Sequence, residues 1–395
     1  MEGRYIKMRF LHTADWHLGR LFHGRHLTDD QAKLLKDILY LAREEKIDAL
    51  LIAGDIYDRA VPPVEAIELF DSFLSKLLLE EKIPVLFIAG NHDSGARLSF
   101  GHRLLAAHGL HVVGRLADGL APVILEDTYG SVAFSLLPYV EPADVRAFFD
   151  EENLLDFDMA NAYVLHQARA KIPTHMRSVA IAHAFLAGGK ISDSERPLTV
   201  GGSGAVRPAC YQGYDYVALG HLHRPQTVEN ISIRYSGSLM KYSFNEVQQK
   251  KSLTLVDMNA RGQVQVQEIS LQPPHDLRRV SGTLQEILEN RTRYPRSEDY
   301  MAVSLLDKGP VLDAHAKLRT IYPNLMQIER PVLLESAKAR HIECEALRKD
   351  DDELFANFFT DMTGTVMTEK EKTFLIQTLS ELNLEEREAF GSCDH

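Results

Sequence analysis

The sequence predicts an α/β protein, and three observations carry that reading. Apolar strand and helix patterns alternate from Met8 to Ala89, a strand-rich stretch begins near Val112, and short polar motifs stand directly after strands. Met8–His12 reads as a buried strand. Asp30–Lys46 follows as a helix, with Leu34, Leu35, Ile38, Leu39, Leu41 and Ala42 at helical spacing. Ala49–Ala53 is a second short strand, ending at Gly54. Pro63–Leu79 is helical again, with Ile67, Phe70, Phe73, Leu74 and Leu77 on one side, and Pro84–Ala89 is a third strand, ending at Gly90. Beyond the strand-rich stretch to Val140, Asp144–Ala170 reads as one helix. Val179–His183, Tyr216–Leu219 and Ile233–Ser236 read as strands, and Ser252–Asp257 with Val264–Ser270 as a closing hairpin. Gln272-Pro273-Pro274-His275 is a linker candidate. Asp276–Glu329 reads as a small α+β module, and the helical, acidic end has its clearest amphipathic stretch at Glu369–Leu382.

The chain has 395 residues, more than one hydrophobic core usually organises, so two or more domains are expected. Hydrophobic content of 45% and charged content of 25% fit a soluble globular protein. No apolar run approaches the ~18 residues of a membrane span, and Met1–Phe10 lacks the apolar core of a secretory signal. Met8 is an alternative start, because the first strand begins there. Cys210, Cys344 and Cys393 are far apart and form no CxxC pair, which points to a reducing cytoplasm. The net charge is −12, but His341–His395 alone holds 14 acidic and 5 basic residues and so carries −9 of it. This balance argues against a coating DNA binder. It leaves room for an enzyme that meets DNA at a cationic metal centre and shares binding with a partner.

Five polar motifs follow the strands: Asp15-Trp16-His17, Gly54-Asp55, Gly90-Asn91-His92-Asp93, His183, and Gly220-His221-Leu222-His223. In α/β sheets, ligand sites lie beyond the carboxyl ends of strands, so all five can meet at one site. Carboxylates, imidazoles and an amide oxygen, without thiolates, suit hard-to-borderline divalent metals. Seven such groups exceed one tetrahedral ion and suit two ions of higher coordination, with Asp55 the natural bridge. The glycines before Asp55, Asn91 and His221 let backbone approach closely.

This order of motifs resembles the calcineurin-like metallophosphoesterase superfamily. Within it, HTADWHLGR (12–20), AGDIYDRAVPP (53–63), AGNHDS (89–94), SDSERPLTVGG (192–202) and DYVALGHLHRPQ (215–226) resemble the SbcD family of DNA exonuclease subunits, strongly over 8–270 and more loosely beyond. The resemblance implies a four-layer α/β/β/α sandwich over 1–271, a small α+β capping domain for DNA recognition over 276–335, and an acidic helical tail over 340–395 that binds an ATPase partner. It implies one metal held by Asp15, His17, Asp55 and His223 and another by Asp55, Asn91, His183 and His221, the ions most often Mn²⁺. His92, not a ligand, faces the scissile phosphate and assists the leaving 3′ oxygen, and Asp93 holds the His92 ring in its productive tautomer. Asp58 stands where some distant relatives carry a phosphate-positioning histidine, which leaves more of that role to His92. The implied activity is 3′–5′ exonuclease action on double-strand ends and endonuclease action on hairpins and single strands, in DNA repair. The implied partner is an SbcC-type coiled-coil ATPase, with a homodimer of this chain inside a heterotetramer, in the cytoplasm at the nucleoid. The chain has no convincing P-loop of its own. A small-molecule phosphodiesterase or phosphatase on the same site is the alternative reading, and a non-enzymatic scaffold would have no need of converging ligands.

Other features point less sharply. Gly201-Gly202-Ser203-Gly204 lacks the strand-to-helix context of a phosphate cradle. Trp16 fits packing beside the site better than base stacking. His12, His23, His26, His102, His108 and His111 read as surface or core histidines. Arg20, Arg25, Arg59 and Arg97, and the clusters Arg278-Arg279 and Arg291–Arg296, fit phosphate contacts or a solvated surface equally. Phe374, Leu375, Leu379 and Leu382 fit a partner-docking face or a packed helix.

Overall fold

A computed structural model describes residues 7–195, 204–309 and 311–331, with 355, 359, 366–375 and 378 beyond them. The strands in chain order are β1 (Met8–Thr13), β2 (Leu21–Phe22), β3 (Arg25–His26), β4 (Ala49–Ile52), β5 (Val85–Ile88), β6 (Leu110–Val113), β7 (Val123–Asp127), β8 (Gly130–Leu137) and β9 (Arg177–His183). They continue as β10 (Tyr216–Gly220), β11 (Gln226–Val228), β12 (Asn230–Tyr235), β13 (Ser252–Met258), β14 (Val264–Ser270), β15 (Leu277–Gly282), β16 (Tyr300–Leu305) and β17 (Leu325–Glu329). The helices to Arg169 are α1 (Thr28–Glu44), α2 (Val64–Ser75), α3 (Gly95–Leu98), α4 (His102–Ala106), α5 (Pro142–Phe149) and α6 (Phe157–Arg169).

Two six-stranded sheets form the body, with orders β14-β13-β1-β4-β5-β6 and β11-β12-β10-β9-β8-β7. In the first, β1, β4, β5 and β6 are parallel, and β13 returns antiparallel beside β1, pairing Met8 with Met258. In the second, β8, β9, β10 and β12 are parallel, and β7 and β11 are antiparallel edges.

The strands read as continuous apolar runs because both faces are covered. With a side-chain period of two, Met8 and Phe10 of β1, Ala49 and Leu51 of β4, and Leu86 and Ile88 of β5 face the second sheet. They meet Val132, Phe134, Val179, Ile181, Tyr216 and Ala218 there. The alternate residues Leu11, Leu50, Ile52, Val85 and Phe87 turn outward, beneath Leu34, Leu35, Ile38 and Ala42 of α1 and Phe70 and Phe73 of α2. On the far side, Ala180, Ala182, Val217 and Leu219 pack under Val145 of α5 and Val164, Leu165 and Ala168 of α6. The result is the expected four-layer α/β/β/α sandwich. His12 sits in its middle, Nδ1 3.0 Å from the Tyr216 hydroxyl and Nε2 3.1 Å from the Leu219 carbonyl, kept neutral by burial that lowers its pKa to about 3.

One element departs from the sequence reading. The single helix expected over Asp144–Ala170 is two, α5 and α6. Asp150 adopts φ 56° and ends the first, and the Asp156 carboxylate accepts the Met159 N–H at 2.8 Å to start the second.

The chain divides into two compact units, one of Met1–Val280, Ile287–Val303 and Asp313–Ile328, the other of Ser281–Glu286, Ser304–Leu312 and Glu329–His395. In the first, Asp30 of α1 accepts hydrogen bonds from His275 Nδ1 (2.8 Å) and the Tyr300 hydroxyl, and Lys241 pairs with Asp276 at 2.8 Å. In the second, Thr283 and Glu286 exchange side-chain-to-backbone bonds of 3.0 and 3.3 Å, and Asp307 accepts the Leu284 N–H at 2.9 Å. Strands β15, β16 and β17 form a three-stranded sheet in that order. Positions 369–375 are helical. Gly201 to Ser203, Cys344, Cys393, Leu379 and Leu382 lie outside the described residues. No helix among the described residues is long and apolar enough to cross a membrane.

Candidate metal centre

Each predicted site motif leaves the carboxyl end of a strand: Asp15 and His17 after β1, Asp55 after β4, Asn91 after β5, His183 at the end of β9, and His221 and His223 after β10. The strand ends approach so closely that side chains are excluded at the glycines beside these residues. A Cβ on Gly54 would lie 2.4 Å from His183 Nδ1, and one on Gly220 would lie 1.9 Å from the Ala53 carbonyl oxygen. Several of these candidate ligands take left-handed backbone, with φ of 53° at Asp15, 45° at His17, 51° at Asp55 and 102° at His221. Such conformations cost non-glycine residues energy and concentrate at functional sites.

The donors converge without a matching set of hydrogen-bond donors. His17 Nε2 lies 3.0 Å from His223 Nε2. The Ser194 hydroxyl donates to Glu246 and accepts from His223 Nδ1 at 2.6 Å, so the His223 proton sits on Nδ1 and its Nε2 is a bare lone pair. His183 donates from Nδ1 to the Ala53 carbonyl at 2.8 Å, leaving Nε2 bare, 2.9 Å from Asn91 Oδ1 and 3.6 Å from Asp55 Oδ2. His221 Nδ1 stands 3.2 Å from the same Asn91 oxygen, and His17 Nε2 stands 3.7 Å from Asp55 Oδ2. Asp15 Oδ1 accepts the His221 N–H at 2.9 Å, while its Oδ2 is buried with no hydrogen-bond partner. Burial pushes the pKa of Asp15 well up, with the Asp55 charge adding to it, and pushes those of His17, His183, His221 and His223 down, that of His183 to about 4. A buried nest of lone pairs and carboxylates with an orphaned oxygen is an environment that a cation stabilises. Three of its groupings have metal-compatible spacing: Asp15–His17–His223, Asp15–Asp55–His183 and His17–Asp55–His92. The donor set therefore fits divalent cations.

His92 lies at the edge, its ring Nε2 4.0 Å from Asp55 Oδ2 and its backbone N–H donating to Asp55 Oδ1 at 2.9 Å. The expected contact of Asp93 with the His92 ring does not form. His92 Nδ1 donates to the Asp58 carbonyl at 2.8 Å. The Asp93 carboxylate instead gathers three backbone N–H groups, from Ile56 (3.1 Å), Tyr57 (2.9 Å) and Gly90 (3.0 Å), and so ties the two loops that follow β4 and β5. Burial and the Asp55 charge push its pKa up to about 6 against those bonds.

Sequence reasoning missed the support of His223. Glu246 pairs with Lys251 at 2.7 Å, Lys251 also donates to the His223 carbonyl at 2.7 Å, and Glu195 accepts the His223 N–H at 2.6 Å. Ser194 and Glu195 lie inside the quoted SDSERPLTVGG stretch; Glu246 and Lys251 carry no local signal. Asp58 anchors Arg20 at 2.9 Å, and that guanidinium lies 4.8 Å from the centre of the Tyr242 ring. Trp16 is core: fully buried, edge-on to Phe70 and Phe73, with its N–H on Thr13 Oγ1 at 2.9 Å.

Comparison with known proteins agrees with this geometry. Residues 8–225 match the calcineurin-like phosphoesterase family, and 273–363 match the type 5 capsule protein repressor C-terminal domain. The SbcD component of nuclease SbcCD from Staphylococcus epidermidis is 32% identical over 373 residues, 94% of this chain and 98% of that protein. The chain belongs to the SbcD family. The same component from Staphylococcus saprophyticus is 32% identical over 361 residues, 91% of this chain and 95% of that one. A dimetal phosphatase structure from Danio rerio aligns at TM-score 0.39 and 15% identity, over 68% of this chain and 100% of its own, a likeness too low to add to the fold assignment. As an SbcD-family member the protein is a hydrolase, a metal-dependent nuclease, and its clustered His and Asp side chains are groups that could hold metal ions.

Proposed function

We propose that the protein cuts DNA phosphodiesters at a two-metal centre. The observation that carries this reading is the convergence of seven buried or half-buried donors with Asp15 Oδ2 left unpaired. One ion is assigned to Asp15, His17, Asp55 and His223 and the other to Asp55, Asn91, His183 and His221, with Mn²⁺ as the native metal. Bound there, the ions activate water and offset charge on the phosphate in the transition state. The residues supply the rest. The Ala53 carbonyl and Ser194 set the tautomers of His183 and His223, so bare nitrogens face the centre. The Asp58 carbonyl aims His92 Nε2 into the site, where it stabilises or protonates the departing 3′ oxygen.

Double-strand ends cut 3′ to 5′, hairpins and single strands are the proposed substrates, in DNA repair, with an SbcC-type coiled-coil ATPase as partner. The staphylococcal relatives are named as one component of a two-part nuclease, SbcCD, which supports that partnership. We assign 1–271 to the nuclease domain, 276–335 to a DNA-facing cap and 340–395 to the partner-binding tail. A homodimer inside a heterotetramer fits the exposed apolar side chains Val64 and Ile67 of α2, Phe100, and Leu104 of α4. A cytoplasmic, nucleoid-associated location follows from this role.

The test is cleavage of a labelled DNA hairpin with Mn²⁺ by the wild type and by His92→Ala. The variant is expected to bind the same two ions and lose about 10²–10⁴-fold in rate, in the range of a general acid. Loss of metal from His92→Ala, measured by calorimetry, would make His92 a ligand. Intact hairpin with hydrolysis of a small phosphodiester, even after a coiled-coil ATPase partner and ATP are added, would refute the DNA assignment.

A further inference from the structure

Gln31 of α1 is fully buried, although glutamine is ordinarily a surface residue, and its amide is used on both sides. Oε1 accepts the Gly19 N–H at 3.1 Å. Nε2 donates to the carbonyls of His17 (2.9 Å) and Trp16 (3.1 Å) and makes a longer contact with the Tyr242 hydroxyl (3.3 Å). Only this orientation of the amide works, because a flipped one would set its NH₂ against an N–H and its oxygen against two carbonyls. The Tyr242 hydroxyl donates in turn to the Trp16 carbonyl. The turn from Trp16 to Gly19 is therefore held by side chains outside it. That turn carries His17, which lacks a support its counterparts have. The rings of His183 and His223 are oriented by hydrogen bonds at Nδ1, with the Ala53 carbonyl and with Ser194. Among the described residues, His17 Nδ1 is buried with no hydrogen-bond partner, and Asp58 Oδ1 at 3.6 Å is too far to be one. Edge-on contacts with the rings of His92 (4.7 Å), His223 (4.9 Å) and Tyr242 (5.4 Å) pack His17 but engage neither nitrogen at Nδ1. Its direction comes from its backbone, which is left-handed at φ 45° and tied on both sides. The His17 N–H donates to the Asp55 carbonyl at 3.0 Å, and its carbonyl accepts from Gln31 and from the Arg20 N–H at 3.1 Å.

We infer that Gln31 is a positioning residue for metal binding: by fixing the backbone of the Trp16–Gly19 turn, it aims His17 Nε2 at the centre in place of a hydrogen bond to the ring. The inference rests on the two-metal reading above and adds the means by which one ion's shell is held. A left-handed residue stays so only where its surroundings over-determine it, and the Gln31 amide is the part of those surroundings that α1 contributes. The base of this support is firm, since Asp30, next to Gln31 on the helix, accepts hydrogen bonds from His275 and Tyr300. The hydrogen bonds of the Gln31 side chain reach no other candidate donor. Its influence therefore falls on the ion assigned to Asp15, His17, Asp55 and His223 and spares the one assigned to Asp55, Asn91, His183 and His221.

The test is calorimetric titration of the metal-free full-length protein with Mn²⁺, comparing the wild type with Gln31→Met, which keeps the bulk of the side chain and removes its hydrogen bonds. The variant is expected to bind one of two ions about 10–100-fold more weakly, the usual effect of losing an outer partner, and the other ion as tightly as before. The same substitution is then made in two backgrounds. With His17→Ala it should change nothing further, because its action passes through the ring that is gone. With Asn91→Ala its loss should persist in full. A merely structural role would weaken both ions together, or would weaken binding as much without His17 as with it, and either result overturns the inference. Unchanged affinity in Gln31→Met overturns it as well. If Gln31→Met does not fold, Tyr242→Phe decides: it keeps the ring against His17 and removes only the hydroxyl that shares the Trp16 carbonyl with Gln31. It should weaken the same single ion several-fold, again only where His17 is present, and unchanged binding would sink the proposal. A wild type that binds fewer than two ions overturns the two-metal reading itself.

Discussion

Lys251→Met tests whether the buried ion pair behind His223 holds the domain as well as the ligand. The Lys251 ammonium is almost fully enclosed, with 3% of its side chain exposed, and all three of its protons are used: on Glu246 Oε2 (2.7 Å), the His223 carbonyl (2.7 Å) and Gln249 Oε1 (2.8 Å). Methionine fills a similar volume but donates nothing. It leaves a wholly buried carboxylate without its cation, though still accepting from the Ser194 hydroxyl and the Tyr242 N–H (3.3 Å), and a carbonyl that keeps Ser238 N–H (3.1 Å) and a long Ser238 hydroxyl contact (3.5 Å). Removing one partner of such a pair costs about 3–5 kcal/mol, against a typical total stability of about 5–15 kcal/mol. Glu246→Gln added to Lys251→Met removes the stranded charge and should restore part of that loss, so the two effects should be non-additive by more than about 1 kcal/mol. Urea unfolding followed by Trp16 fluorescence reads this directly, since Trp16 is the sole tryptophan and is buried in the same unit. Chelator should be present throughout, so that metal binding does not add to the measured stability. A loss under about 1 kcal/mol for Lys251→Met, or strict additivity in the double variant, would refute the argument.

Three further outcomes follow from the geometry. Asp55→Asn should weaken both ions together in a calorimetric titration, because Asp55 Oδ2 lies within 4 Å of nitrogens on both sides; two sites that stay tight would exclude the bridge. Glu246→Gln should lower metal affinity about 10–100-fold through Ser194 and His223, the usual effect of an outer hydrogen-bond partner, and unchanged affinity would show that Ser194 alone fixes the tautomer. Asp93→Asn should destabilise the domain by about 1–3 kcal/mol for each backbone N–H it leaves unsatisfied, with His92 still on the Asp58 carbonyl; a selective loss of rate at unchanged stability would restore a direct role toward His92.

The convergence of the candidate site residues was legible because they carry a local signature. Asp15, Asp55, Asn91, His183 and His221 each stand at the end of an apolar run, and apolar runs in α/β order place their ends on one side of the sheets. The sandwich was legible for the same reason, since strands covered on both faces cannot alternate with polar residues. What failed was inference from adjacency. Asp93 follows His92 in sequence, yet the turn after β5 points its carboxylate back at the N–H groups of Ile56, Tyr57 and Gly90. The break at Asp150 was hidden because apolar residues keep helical spacing on both sides of it. Glu246 and Lys251 were invisible because a buried ion pair has no sequence period; only the fold reveals that both lie behind His223.

The 206-residue separation between His17 and His223 has a consequence for the order in which the protein is made. Strand β1 acquires its neighbour β13 only through the pairing of Met8–His12 with Thr254–Met258, and the second sheet supplies His183, His221 and His223 only once β9 and β10 are in place. A nascent chain emerging from the ribosome therefore carries the first four candidate donors long before the last three. The seven candidate donors can meet only after β10 has been made, and β1 is flanked on both sides only after residue 258.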